Sequence, residues 1–128
     1  MIYIDSSVAL AHLFGEGRSP PALLWRERLV ASRIFEYEFW NRIHARGFTG
    51  SHGDEARDLL TRVTLIDLTL PVLVRALDPF PVAVGTLDGL HLATIVFLLG
   101  RGEAVELASY DRRLNACARA LDIALYAL

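Results

Sequence analysis

The chain has 128 residues with 13 basic and 15 acidic side chains, a formal net charge of −2 and one cysteine. That length suits one domain, residues 1–128, with a core that needs no disulfide or structural metal; lone Cys117 excludes an internal disulfide and any multi-cysteine zinc site. The net charge excludes whole-molecule attraction to nucleic acid, so such binding would need a local basic patch or metal ions, and every one of the 13 basic residues is arginine.

Ile2-Tyr3-Ile4 is a short β-branched and aromatic run ending at Asp5-Ser6-Ser7, residues that favour helix caps, and Val8 to Phe14 follows as a helix closed by Gly15. Ser19-Pro20-Pro21 predicts a helix over Ala22 to Leu29, and Val30-Ala31-Ser32 a second strand. In Ile34 to Arg46, Phe35, Phe39 and Ile43 recur on one helical face and Gly47 ends the helix. Gly47 to Gly53 reads as the most loop-like stretch, followed by a polar helix from Asp54 to Arg62 and a strand from Val63 to Leu68. Thr69 and Pro71 open a helix running to about Asp78, and Pro79 and Pro81 break the chain. Leu87 to Leu99 is apolar nearly all round, the mark of a helix buried in the core, and its most apolar part, Leu92 to Leu99, is far short of the roughly 20 residues that span a bilayer. Val105 to Ser109 reads as a strand, Arg112 to Leu121 as a helix and Ile123 to Leu128 as a final strand. This alternation predicts an α/β protein with three layers on a mostly parallel sheet.

Asp5, Glu38, Asp88 and Asp111 each sit beside a strongly apolar run. In open parallel sheets the functional crevice lies beyond the carboxyl ends of the strands. Asp5 ends the first strand, Asp111 follows the fourth, Asp88 opens the buried helix and Glu38 lies one turn into the helix after Ser32. Each has a simpler role available: Asp5, Asp88 and Asp111 as helix caps or first-turn acids, and Glu38 as an i,i+4 partner of Arg42. As a set at one sheet edge they point to a site, and mutual repulsion would then call for a cation.

The blocks Ile4-Asp5-Ser6-Ser7, Ser32 to Glu38 with Asn41-Arg42, Thr86 to Thr94, and Ser109 to Leu114 resemble, in that order, those of the PIN domain family, and within it the toxins of VapC type. The resemblance implies a PIN-like α/β/α fold and carries the family's acidic quartet onto Asp5, Glu38, Asp88 and Asp111, with Glu38 preferred to Glu36 by its distance from Ser32. Gly85, Gly89 and Ser109 depart from the residues usual at those places, and none of these departures removes a carboxylate. The implied activity is a metal-dependent endoribonuclease acting as the toxin of a toxin–antitoxin pair. Hard oxygen ligands suit Mg²⁺ or Mn²⁺. Ser6 and Ser109 are candidates to support the ligands, and Asn41 and Arg42 to line an RNA path. His91, Trp25, Trp40 and Phe48 are expected to serve packing.

The expected partners are RNA, a small cognate antitoxin and a second copy of the chain, with no membrane association. The hydrophobic share of 53% supports partnering. The opening residues lack a basic and hydrophobic leader, so the expected location is the cytoplasm. The alternatives are a PIN nuclease that processes RNA without an antitoxin, and a Mg²⁺-binding receiver-like phosphotransfer module, which would lack its lysine.

Overall fold

The computed structural model describes residues 1–15 and 17–128. Five strands, β1 (Ile2–Ile4), β2 (Leu29–Ser32), β3 (Val63–Ile66), β4 (Glu106–Ala108) and β5 (Ala124–Leu125), form one sheet in the order β3-β2-β1-β4-β5. Every pairing is parallel. Six α-helices connect or follow them: α1 (Ser6–Phe14), α2 (Arg33–Ala45), α3 (Thr49–Leu60), α4 (Leu70–Leu77), α5 (Thr86–Gly100) and α6 (Arg112–Ala120).

Strand periodicity divides the core in two. Ile2 and Ile4 of β1, Leu29 and Ala31 of β2 and Ala108 of β4 point to the face covered by Val8, Leu13, Phe35, Phe39, Ile43 and Leu59 from α1, α2 and α3. The intervening Tyr3, Val30 and Leu107 point to the other face, packed by Leu92, Ile95 and Leu98 of α5 and Leu114, Cys117 and Ala118 of α6. This is the three-layer arrangement expected, with the sheet wholly rather than mostly parallel. The sheet is buried on both faces, so its strands are continuous apolar runs.

Several boundaries differ from expectation. Ala22–Arg26 is a five-residue 3₁₀ turn rather than a helix to Leu29. Leu24 is the one buried anchor of that turn, and Leu29 is already claimed by pairing with Ile2 and Val63. The supposed loop Gly47–Gly53 contains the first turns of α3, which starts at Thr49. There Phe14, Phe48 and His52 stack with centroids 5.0 to 5.6 Å apart, and His44 Nδ1 hydrogen-bonds Thr49 Oγ1 at 2.6 Å, pinning a turn whose glycines alone would not hold it. The last strand shrinks to Ala124–Leu125 at the sheet edge. Helix α5 buries Gly89, His91 to Ile95 and Leu98, but Leu87 and Leu99 are exposed, so it is covered on most sides rather than all.

The order of the strands places the site. From β1 the chain steps outward through β2 to β3, and β4 and β5 then lie on the opposite side of β1. The reversal falls between β1 and β4, where an open parallel sheet leaves a crevice beyond its strand ends.

Candidate active site

The register Ile4↔Ala108 sets Asp5 beside Ser109, and the Asp5 N–H donates to Ala108 O at 3.0 Å. Asp5 is 6% exposed and N-caps α1. Its Oδ2 accepts from Ser7 N–H (3.2 Å), Ser7 Oγ (2.5 Å) and Ser109 Oγ (3.0 Å), which leaves Oδ1 for a ligand. Ser7 Oγ also accepts from Tyr110 N–H, and Ser109 Oγ from Asp111 N–H. Two hydroxyls thus tie the turn after β1 to the turn after β4. Ser109, a candidate to support the ligands, is hydrogen-bonded to Asp5. Ser7 shares that contact but was not singled out in the sequence; its neighbour Ser6 lines the cleft instead.

Asp111 N-caps α6, its Oδ1 accepting from Arg113 N–H at 2.8 Å and Leu114 N–H at 3.1 Å. Asp88 is the third residue of α5, whose N-cap is Gly85. Burial, followed by the nearby carboxylates of Asp111 and Asp5, raises the Asp88 carboxyl above its ordinary value, against the smaller pull of His91 and Arg113. Capping and site-building are therefore not rival explanations: Asp5 and Asp111 do both.

Glu38 makes a pair other than the one with Arg42 that its spacing suggests. His91 Nε2 lies 2.9 Å from Glu38 Oε2, and the other ring nitrogen, Nδ1, lies 2.7 Å from Tyr3 Oη. Tyr3 Oη in turn accepts from Ser32 N–H at 3.0 Å, so its own proton is free to be donated to Nδ1. A neutral imidazole with its proton on Nε2 matches every donor to an acceptor along this buried line. Burial alone would lower the His91 pKa, but the Glu38 hydrogen bond and the charges of Glu38, Asp5 and Asp88 outweigh it and raise it. Burial also pushes the Tyr3 hydroxyl far up, so it stays protonated. Glu36 instead pairs with Arg33 at 3.3 Å.

Asp5, Glu38, Asp88 and Asp111 line one cleft of about 300 Å³, together with Ser6, Ser7, Asn41, Arg42, Tyr37 and Leu87. Every carboxylate singled out in the sequence is there, with both polar candidates from α2. His91 stands behind Glu38, and Asp5, Glu38 and His91 each present a ligand atom within 4.8 Å of the others. Both ring nitrogens of His91 are engaged in hydrogen bonds, so the histidine orients rather than competes as a ligand. The oxygen-only remainder, crowded enough to lift Asp88, fits a hard divalent cation. Trp25, Trp40 and Phe48 lie outside the cleft lining and pack against the α1–α2–α3 core or its aromatic neighbours, as expected.

The fold and site thus define an all-parallel three-layer α/β domain with an acidic cleft at its switch point. The chain matches the PIN domain family over residues 2–120 and belongs to it. PIN domains are generally metal-dependent nucleases, and Asp5, Glu38 and His91 form a group here that could hold a metal ion. No curated protein matches the chain. Among the described residues no helix is long and apolar enough to cross a membrane.

Proposed function

We propose that the chain is a Mg²⁺- or Mn²⁺-dependent endoribonuclease and acts as the toxin of a toxin–antitoxin pair. The observation that carries this reading is the convergence of Asp5, Glu38, Asp88 and Asp111 on one cleft from four separate parts of the chain. Asp5, Asp88 and Asp111 would hold the ion, directly or through water, with Glu38 a further ligand or a water-orienting base. Bound there, the ion would supply Lewis-acid polarisation of a phosphodiester and would lower the pKa of an attacking water. Glu38, fixed by His91, orients that water and takes its proton. Ser7 and Ser109 keep Asp5 turned with Oδ1 toward the cleft, and Asn41 and Arg42 contact the RNA.

The toxin role rests on the likeness to VapC-type blocks and on apolar surface left uncovered. Leu70, Val74 and Leu77 of α4 are 73%, 51% and 85% exposed. That face suits a second copy of the chain, and a small antitoxin would cover the cleft. The protein acts in the cytoplasm.

The test is cleavage of RNA by purified protein with Mg²⁺ or Mn²⁺, against EDTA, Asp5→Asn and Asp88→Asn. Either substitution is expected to lower the rate more than about 100-fold, at or beyond the range for losing a group that only supports a ligand. Full activity in both would sink the quartet. Expression should arrest growth and the Asp5→Asn form should not; cleavage without arrest would leave a nuclease with no toxin role.

A further inference from the structure

We propose that an arginine-lined track leads away from the acidic cleft across the ends of α1, α2 and α6, and binds the backbone of a single-stranded polynucleotide on one flank of the cut. The proposal rests on the nuclease reading above and adds where the rest of the substrate lies. Directly beside the cleft, and sharing Ser7, Leu10 and Arg42 with it, is a groove of about 290 Å³ lined also by Phe14, Arg18, Arg46 and Tyr110. Arg18 and Tyr110 in turn border a further hollow of about 380 Å³, lined by Asn115, Arg119 and Tyr126. The three spaces are consecutive, because each shares lining residues with the next.

The chemistry along this path is uniform. Arg18, Arg42 and Arg119 supply planar guanidinium groups suited to phosphate, in a protein whose net charge of −2 requires any nucleic-acid attraction to be local. Arg18 lies 5.3 Å over the Tyr110 ring and Arg46 lies 4.8 Å over Phe14, so both groups are held along the groove by aromatic faces. Tyr110 and Tyr126 offer rings on which unpaired bases can stack, which favours a single strand over a duplex. Asn115 donates through Nδ2 to Ser109 O at 2.9 Å, which ties the hollow's lining to the turn after β4.

The other flank differs. The groove between α4 and α5 has a mainly apolar lining that includes Leu73, Leu77, Val84 and Leu90, with the Arg75 guanidinium 4.5 Å over its Phe80 ring. The denser run of guanidinium groups lies along α1, α2 and α6.

The test compares wild type with R18Q, R119Q and the double variant, using single-stranded RNA oligonucleotides. KM is read from Mg²⁺ or Mn²⁺ cleavage, and binding from fluorescence anisotropy in an Asp5→Asn background over a salt series. R101Q, at the far end of α5, is the control. The double variant is expected to raise KM and Kd about tenfold, leave kcat within about twofold, and flatten the log K against log salt slope by about 1.4, or 0.7 per lost phosphate contact. R101Q should change none of these. Should R18Q disturb the fold through Tyr110, R119Q alone carries the reading, with half the change in slope. Unchanged KM, Kd and slope in an enzyme that cleaves would overturn the track and leave the nuclease standing. If wild type cleaves no RNA, the nuclease reading fails, and the anisotropy series still decides the track. Loss of binding to a glutamate-rich peptide with RNA affinity intact would assign these arginines to a protein partner and overturn the proposal.

Discussion

His91 shows how one side chain can belong to the core and to the site at once. It is 1% exposed, yet its Nε2 reaches the Glu38 carboxylate that opens on the cleft. His91→Ala should leave Glu38 unanchored and weaken Mn²⁺ binding about 10- to 100-fold, measured by calorimetry. Tyr3→Phe deprives both Ser32 N–H and His91 Nδ1 of their partner. It should lower stability by about 1 to 3 kcal/mol in denaturant melts. The raised pKa of Asp88 gives a pH dependence of definite sign. The folded protein keeps this proton to a higher pH than the unfolded chain does, so stability falls as pH rises through that window, and above it the ionised carboxylate burdens the fold. Metal affinity should accordingly fall on acidification at a higher pH than an ordinary aspartate would give, and Asp88→Asn should remove that step from a titration of Mn²⁺ affinity against pH. Asp5, Asp88 and Asp111 were legible in the sequence because each follows a strand or opens a helix, and Glu38 through its block's resemblance to the family. Ser7 and the Tyr3–His91–Glu38 line were not, since residues 3 and 91 meet only through sheet register and the packing of α5 behind it.

At the level of elements, the helix that presents Asp88 carries a removable weakness. A methyl group at Gly89 would meet Val84 Cγ2 at 3.5 Å and Phe80 Cε2 at 3.6 Å, which are ordinary contacts. Gly89→Ala should therefore stabilise α5 by about 0.5 to 1 kcal/mol, seen as a higher thermal midpoint. Strand and helix order could be read from apolar period and caps, down to Asp5 and Asp111 as N-caps, while Ser32, read as the end of a strand, also caps α2. The start of α3 could not, because Gly50 and Gly53 argue against helix and it takes an aromatic cluster from α1, Phe48 and His52 to overrule them. Ala22–Arg26 fails in the opposite sense: its residues favour helix, but β2 begins at Leu29 and leaves too little chain.

For the whole molecule, the acidic cleft means that stability and metal occupancy are linked. Mg²⁺ or Mn²⁺ at about a hundred times Kd should add about 2.7 kcal/mol, and the rise in thermal midpoint should be larger near neutral pH than in acid, where Asp88 is protonated. The apolar face of α4 belongs to this scale too. Leu77→Glu should shift the solution mass from dimer toward monomer in light scattering if a second copy covers that face. Finally, the hydroxyl bridge from Ser109 to Asp5 joins residues 104 positions apart, and Asp111 lies beyond it. The Asp5 carboxylate is thus held in place only once Ser109 has been made. A chain truncated before Glu106 has β1 without its β4 partner and should lack both the cleft and metal binding, as calorimetry of truncated fragments would reveal. Under the nuclease reading proposed above, strand order alone would keep a partly made chain harmless to RNA.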